Sequence, residues 1–390
     1  MKTRGLWKPW AALGLALAMS GCPNGGDAGS GMPAVETAIA GFTHTVAIGV
    51  DGSLWAWGNN MSGQIGNGAS GVSSNRRLPT RVGRAADWVS VSTGGDHTMA
   101  VCSDGFLWGW GSNSWGQLGH GGVTAGLNVP TRIGTASNWA ATAAGMLNHT
   151  VAVRTDGSMW GWGHNRYGQV GVPGTQIHQT PVRIGAETGA SWVSVAAGAW
   201  HSAAICSDGW LWGWGHNGWG QVGDGGESNV ATPVRIGAGT GASWVFVTAG
   251  TWHNVAICSD GRLWVWGDNR QGQLGLGHTE RTGVPTRLET EAGTTWVSAT
   301  AGERHNMAVC SDGFLWGWGH NRQGQFGEGV SVLATPTRIG TTENWVSVST
   351  GLDHTVAVRA DGSVWAWGGN FSGQLGDGTT DSRGAPVRVR

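Results

Sequence analysis

The segment from His97 to Gly119 reads HTMAVCSDGFLWGWGSNSWGQLG, and variants of it occur seven times along the chain. An apolar run leads into Asp104-Gly105, and a second run with Trp at alternate positions follows. Asp-Gly between two such runs is a strong signal for a β-hairpin, because both residues tolerate a positive φ. The segment therefore predicts two antiparallel strands joined by a tight turn, followed by a loop that contains Gly-Gln-x-Gly.

Further motifs extend this hairpin into a repeat of about 52 residues. Each copy begins its hairpin with His, continues through Asp-Gly, Trp-x-Trp-Gly and Gly-Gln-x-Gly, and ends in Pro-x-Arg. The seven His are His44, His97, His149, His201, His253, His305 and His354. A segment such as Trp88-Val89-Ser90-Val91 precedes the hairpin and a segment such as Thr131-Arg132-Ile133 follows it, which gives four strands per repeat. A period near 50 residues with four strands is typical of propeller blades. We therefore predict an all-β seven-bladed β-propeller, with four strands per blade, over residues 34–390.

The composition agrees with a repetitive β architecture. Of the 390 residues, 72 are Gly and 27 are Trp, whereas only 12% are charged. Side chains alternate between the faces of a strand, so both rings of Trp-x-Trp lie on one face. Such large rings favour burial, and we interpret most of the Trp, Trp212 among them, as core. The net charge of -1 and the lack of any basic run exclude a nucleic-acid footprint.

The N-terminal segment is typical of an exported protein. Lys2, Arg4 and Lys8 precede an apolar stretch that ends at Met19 and is too short to span a bilayer. The residues before Cys22 resemble a bacterial lipobox, in which this Cys would be acylated. We predict a signal peptide over residues 1–21, then a lipidated Cys and flexible tether over residues 22–33. The lipid would be the only membrane contact of an outer-membrane or cell-surface protein. The alternative is an ordinary signal peptide, which would make the protein periplasmic or secreted.

The residues repeated in every blade are interpreted as structural. The seven His could suggest a metal ring, but hydrogen bonds to backbone within or between blades explain them better, and we predict neither a metal nor a cofactor. Four buried thiols occupy one repeat position, too far apart for disulfides: Cys102, Cys206, Cys258 and Cys310. No catalytic motif is present, so we predict a non-enzymatic protein. A pair of acids, Glu303 with Asp353, is the alternative on which catalysis could rest.

Function is expected where the blades differ. Strands in a blade alternate in direction, so the loop between its first and second strands shares a face with the loop between its third and fourth. These loops vary in sequence, and Trp, Tyr and Arg are the residue types of binding hot spots. The predicted partner-binding residues are Trp115, Arg166, Tyr167, Trp200, Trp219, Trp252, Arg270, Glu303, Arg304 and Arg322. Trp200 and Trp252 hold the same place in neighbouring blades and are predicted to be exposed or half-exposed. The alternative is that some of these rings fold back to cover the loops.

Gly-x-x-His-Thr, Asp-Gly-x-Leu-Trp-x-Trp-Gly-x-Asn and Gly-Gln-Leu-Gly resemble the regulator of chromosome condensation-type repeat. The resemblance covers about residues 35–390, implies a seven-bladed propeller, and with the leader suggests a bacterial exported lipoprotein member. That family includes nuclear exchange factors for a small GTPase, a plant ultraviolet-B photoreceptor and a secreted bacterial inhibitor of β-lactamase. The fold alone therefore does not determine the function.

We predict an exported, lipid-anchored binding module, monomeric, whose partner is a protein of the cell envelope or extracellular space. The main alternative is an exported enzyme inhibitor resembling the β-lactamase-inhibitory propeller; glycan binding is a further one. An exchange-factor activity is disfavoured because the leader directs the chain away from a cytosolic or nuclear GTPase. The photoreceptor's Gly-Trp-Arg-His-Thr signature is absent, since Trp200 and Trp252 directly precede the His, so ultraviolet sensing is not expected.

Overall fold

The computed structural model describes residues 31–174, 176–290, 294–327 and 331–390. The predicted signal peptide, the lipidation site Cys22 and most of the predicted tether lie outside these residues. No helix among the described residues is long and apolar enough to cross a membrane.

The described residues form seven four-stranded antiparallel sheets, each built from four strands that are consecutive in the chain. The predicted all-β seven-bladed propeller is therefore confirmed. Blade 1 contains β1–β4, blade 2 contains β5–β8, and so on to blade 7, which contains β25–β28. The strands are β1 (Val35–Ala40), β2 (His44–Gly49), β3 (Leu54–Gly58), β4 (Arg76–Arg81), β5 (Trp88–Thr93), β6 (His97–Cys102), β7 (Leu107–Asn113), β8 (Thr124–Arg132), β9 (Trp139–Ala144), β10 (His149–Arg154), β11 (Met159–His164), β12 (Ile177–Ile184), β13 (Trp192–Ala197), β14 (His201–Cys206), β15 (Leu211–Gly215), β16 (Val230–Ile236), β17 (Trp244–Ala249), β18 (His253–Cys258), β19 (Leu263–Gly267), β20 (Thr282–Arg287), β21 (Trp296–Ala301), β22 (His305–Cys310), β23 (Leu315–His320), β24 (Val332–Arg338), β25 (Trp345–Thr350), β26 (His354–Arg359), β27 (Val364–Gly368) and β28 (Arg383–Arg388). Three short 3-10 helices are Val72–Ser74, Ala186–Thr188 and Ala238–Thr240.

The Asp-Gly turns join the second and third strands of each blade, as predicted. In blade 2, Gly105 has a φ of 79°, which suits Gly far better than other residues. A Cβ at this position would also collide with the backbone carbonyl of Ser137 in the next blade. The fourth strand differs from its prediction, because β8 begins at Thr124, where that residue pairs with Asn113 at the end of β7.

Adjacent blades are joined through the second Trp of each Trp-x-Trp. All seven of these rings are completely buried, and each indole N–H donates to the backbone carbonyl of the Gln in the preceding blade's Gly-Gln-x-Gly. Trp110 Nε1, for example, lies 2.9 Å from Gln64 O. The Gly that ends the motif, Gly66, leaves no room for a Cβ beside this indole. The first Trp of each pair is less enclosed, so Trp212, predicted as core, is half-buried whereas Trp214 is fully buried.

The repeated His also bind the next blade, through side chains rather than the backbone. The Thr98 hydroxyl donates its only proton to Gln64 O at 3.0 Å. It must therefore accept a hydrogen bond from the Nε2–H of His44, 3.2 Å away. This bonding fixes a neutral tautomer, and burial lowers the pKa of His44 to about 4. The same type of contact occurs in six of the seven blades.

The ring closes between blade 7 and blade 1 without exchanging a strand. Trp57 Nε1 and Thr45 Oγ1 each donate to Gln374 O at 2.9 Å. The Val35 N–H donates to Gly362 O, also at 2.9 Å. The closing interface thus repeats the chemistry of the other blade interfaces, which explains why the two ends of the chain need no shared sheet.

The four repeated Cys are free thiols, and two of them, Cys258 and Cys310, accept a hydrogen bond from the first Trp of Trp-x-Trp in their own blade. In blade 5, the Trp264 indole donates to Cys258 Sγ at 3.4 Å, and the thiol donates to Asp260 Oδ1 at 2.7 Å. In blade 1, which has no Cys at this place, the Trp55 indole donates instead to Ser53 Oγ at 2.9 Å. The Cys is therefore one of two ways to supply the same acceptor.

Candidate functional site

One end of the propeller carries the loops in which the blades differ. We call this end the loop face: it holds the loop between the first and second strands and the loop between the third and fourth strands of every blade. The opposite end holds the seven Asp-Gly turns and is called the turn face. All ten predicted partner-binding residues lie in loops of the loop face.

Four rings from blades 3, 4 and 5 meet on the loop face. Trp200 and Trp252 lie side by side, with ring centroids 4.9 Å apart at 73°. Tyr167 approaches Trp200 to 5.1 Å, and His216 lies 5.0 Å from Tyr167 and 5.6 Å from Trp252. All four side chains are half-buried. We call this group the aromatic platform.

The place that Trp200 and Trp252 hold has a structural role in other blades. In blade 2 it is Asp96, whose Oδ1 accepts from Gln64 Nε2 of the preceding blade at 3.0 Å. In blade 3 it is Asn148, which accepts from Gln117 Nε2 at 2.8 Å. These side chains help to hold the Gln whose backbone carbonyl joins the blades.

A Trp ring cannot accept this hydrogen bond, so the Gln of blades 3 and 4 makes only its second bond, which goes to a residue of its own blade. In blade 1, Gln64 makes that bond as well, to Asn59 Oδ1 at 3.0 Å. Gln169 Nε2 donates to His164 Nδ1 at 2.9 Å, and Gln221 Nε2 donates to His216 Nδ1 at 2.8 Å. Burial lowers the pKa of both His, with Arg166 adding to the effect at His164, so each stays neutral and keeps its Nδ1 lone pair. Trp200 and Trp252 thus take no part in the interblade hydrogen bond. His164 and His216 were not among the predicted site residues; the signal was that both directly precede the repeated Asn, the place that Asn59 and Ser112 hold in blades 1 and 2.

Two predicted residues extend the platform. The Trp115 ring packs against His164 with centroids 4.5 Å apart and stays 40% exposed. The Arg166 guanidinium lies 5.6 Å from the Tyr167 ring and is exposed. The rings of blades 2 to 5 and one cation are thus gathered along one side of the loop face.

Trp219 and Arg270 are engaged with each other. The Arg270 guanidinium covers the Trp219 ring at 3.7 Å and pairs with the buried Asp268 at 2.9 Å. Arg281 approaches the same ring and donates to Gly218 O. This group follows the alternative in which a ring folds back to cover its own loop.

Glu303, Arg304 and Arg322 lie in blade 6. Arg304 pairs with Glu303 at 3.3 Å, and burial raises the pKa of Glu303, with Asp353 adding to the rise. Asp353 accepts from Gln325 Nε2 at 3.3 Å, the same role that Asp96 plays in blade 2. Asp353 therefore belongs to the repeat, which removes the main reason to treat it and Glu303 as a catalytic pair. Within the described residues, no three His, Cys, Asp or Glu come together as a metal site.

The loop face also exposes apolar side chains that sequence reasoning missed. Phe371 of blade 7 is 71% exposed and Met61 of blade 1 is 57% exposed. They hold the repeat position that Arg166 holds in blade 3, so the deviation was visible in the sequence, but neither is a Trp, Tyr or Arg. At the centre of the propeller, small side chains of the first strands enclose a cavity of about 170 Å³, and Met146 is among the residues that line it.

The chain is similar to known families over almost all of the propeller. Residues 148–390 match the RCC1-like domain, and the regulator of chromosome condensation (RCC1) repeat matches residues 51–101, 104–153 and 88–117. The Ultraviolet-B receptor UVR8 of Arabidopsis thaliana is 35% identical over 300 residues, which are 75% of this chain and 67% of the receptor. The E3 ubiquitin-protein ligase HERC2 of Homo sapiens is 29% identical over 77% of this chain, but the match spans only 6% of the ligase.

Solved structures show the same architecture. Human WBSCR16 superposes with a TM-score of 0.77 at 23% identity, covering 87% of this chain and 94% of that one. Prp20p of Saccharomyces cerevisiae, described with its binding properties to Gsp1p and histones, gives 0.76 at 23% identity and covers 88% and 87%. At this identity the likeness concerns the fold.

Proposed function

The chain belongs to the regulator of chromosome condensation repeat family, and from this premise we propose that it is a non-enzymatic protein-binding module, exported and lipid-anchored, whose aromatic platform contacts the partner. The relatives' names include a light receptor and a ubiquitin ligase, so the family does not by itself select one activity. The ligase activity is not carried over, because the chain spans only 6% of the ligase. The proposal rests instead on the loop face.

The observation that carries the proposal is the release of Trp200 and Trp252 from the interblade hydrogen bond. Their place is filled in other blades by acceptors that stabilise the ring of blades, such as Asp96. In blades 4 and 5 this acceptor is absent, the preceding Gln keeps its own-blade bond to His164 or His216, and two large half-buried rings occupy the place instead. Half-exposed Trp and Tyr are the side chains that most often act as anchors in protein interfaces.

The position of the N-terminal strand fits the proposed anchor. β1 begins at Val35, which pairs with Gly49 next to the Asp51-Gly52 turn, so the described chain enters the propeller on the turn face. Cys22 lies thirteen residues before this point, and a chain of that length spans at most roughly 45 Å. A lipid on Cys22 would therefore be attached through the turn face, which leaves the loop face free for a partner.

The proposal is tested with the double variant Trp200→Ala and Trp252→Ala. A partner is first captured by cross-linking in envelope preparations, identified, purified and titrated against the full chain. We expect the double variant to bind at least thirtyfold more weakly, since anchor residues contribute about 2 kcal/mol or more. Trp219→Ala is the matched control, because this ring lies on the same face but is covered by Arg270.

Two outcomes would overturn the proposal. Undiminished binding by the double variant, with a folded propeller by circular dichroism, would place the contact elsewhere. The second outcome is a captured partner that is an enzyme and that the propeller inhibits through the same rings. In that case the protein is an enzyme inhibitor rather than a general binding module.

A further inference from the structure

A guanidinium stands at each end of the aromatic platform. Arg166 lies over Tyr167 at one end. At the other end, Arg304 directly precedes the repeated His of blade 6, the place that Trp252 holds in blade 5. We call the series Arg166, Tyr167, Trp200, Trp252 and Arg304 the basic–aromatic arc.

The arc presents two exposed guanidiniums, and carboxylates of the described residues lie beside only one of them, Arg304. Arg166 and Arg304 are exposed, and among the described residues Arg166 has no carboxylate within ion-pair distance. Arg304 pairs with Glu303 at 3.3 Å and also interacts with Asp353, but half of its side chain stays exposed, against 25% for Glu303, so its outer side can meet a second carboxylate. Arg270 is not part of the arc, because it covers the Trp219 ring and pairs with the buried Asp268.

The dimensions of the arc fit a short extended segment. The ring separations put Tyr167 and Trp252 no more than about 10 Å apart, and an extended chain advances about 3.3 Å per residue. Roughly three residues therefore cross the rings, and about two more cover the 5.6 Å from the Tyr167 ring to the Arg166 guanidinium. A segment extended by the same number of residues in the other direction runs toward Arg304 in the next blade. In an extended segment, alternate side chains face the same surface.

We propose that the basic–aromatic arc binds an extended acidic segment of a protein partner, with apolar side chains over the rings and a carboxylate facing each guanidinium. Charged hydrogen bonds from Arg to carboxylate are directional and strong, so the two ends set the register of the segment. The inference rests on the proposed function and names the chemistry of its partner.

The test uses two labelled heptapeptides and the full chain. One peptide reads Glu-Ser-Val-Ser-Tyr-Ser-Glu, and the other carries Lys in place of both Glu. We expect fluorescence anisotropy at 50 mM salt to give the acidic peptide a Kd at least tenfold lower, with the difference shrinking at 500 mM salt because salt screens exposed charges. The double variant Arg166→Glu and Arg304→Glu should reverse the preference. Arg183→Glu is the matched control, since this Arg is exposed but lies in the outer strand β12 near the turn face.

Equal binding of the two peptides, or an unchanged preference in the charge-reversed variant, would refute the inference. Displacement of the acidic peptide by an N-acetylglucosamine hexasaccharide at lower concentration would make the occupant a glycan. Self-association in sedimentation that Arg166→Glu abolishes would make it a second copy of the chain. If a purified partner needs Trp200 and Trp252 for binding but contacts them through a segment without acidic residues, this inference alone is refuted. If the partner still binds after both rings are removed, the proposed function is refuted.

Discussion

Acidification should unfold this propeller steeply because every blade buries a neutral His. Burial lowers the pKa of His44 to about 4 and those of His97, His149, His201, His305 and His354 to about 3, from an ordinary value of 6.5. The unfolded chain therefore binds protons below pH 6.5 that the folded chain does not. Stability is fully present above pH 6.5 and is lost as the pH falls toward the folded pKa values.

The magnitude is large because the effect is repeated. At pH 5.5 each unfolded His gains about 1.4 kcal/mol from its proton, and the six together remove about 8 kcal/mol from the free energy of unfolding. Folded domains have only about 5–15 kcal/mol in total. Urea unfolding followed by Trp fluorescence at pH 8.0 and 5.5 measures the difference directly.

A single substitution checks the assignment to these His. His201→Gln removes one titrating group while keeping an N–H donor for Asn254, so the loss between pH 8.0 and 5.5 should shrink by about 1.4 kcal/mol. If the free energy of unfolding of the native sequence changes by less than about 2 kcal/mol over this range, the neutral buried His ring is wrong.

Other expectations follow from the same contacts. Trp214→Ala should lower the free energy of unfolding by about 3–5 kcal/mol through a core cavity, and Trp212→Ala, whose ring is half-buried, by clearly less in the same urea titration. His216→Asn, which keeps an acceptor for Gln221 as Asn59 does in blade 1, should preserve stability better than His216→Ala; equal losses would show that the acceptor is irrelevant. Burial raises the pKa of the Cys258 thiol, so this thiol should react with a disulfide reagent at neutral pH only after unfolding. Cys22→Ala should move the protein from the membrane fraction to the soluble fraction, and unchanged partitioning would contradict the lipid anchor.

The repeat made the fold predictable from the sequence. Asp-Gly and Trp-x-Trp each appear seven times. A turn or strand inferred in one repeat can therefore be checked against the same motif in the other six. The partners of the repeated His were not predictable in the same way. The bond from His44 reaches Thr98 in the next blade, and sequence periodicity does not state which blade a side chain points toward. The early start of β8 was missed because its pairing to Asn113 extends beyond the Pro-x-Arg motif.

The candidate site was only partly predictable, for a related reason. Deviation from the repeat identified Trp200, Trp252 and Trp219 alike. Only the structure separates them, since Arg270 covers Trp219 whereas Trp200 and Trp252 pack on each other and on other rings of the aromatic platform. A residue that departs from the repeat is one that the shared blade structure does not require. The departure alone does not show what its side chain contacts.

The comparison of blades gives a more specific criterion than exposure for locating function in a repeat protein. Each blade must hold its Gln so that the Gln carbonyl can accept the Trp indole of the next blade, as in the bond from Trp214 to Gln169. The Gln of blades 1 to 5 each have a side-chain acceptor in their own blade, such as Asn59 for Gln64 and His216 for Gln221. A second acceptor comes from the next blade where that blade carries Asp96, Asn148 or Asp353, but Trp200 and Trp252 cannot supply one. These two rings pack on each other and on neighbouring rings of the loop face instead, which is why the aromatic platform, rather than the more exposed but isolated Phe371 and Met61, is the surface on which a partner is expected.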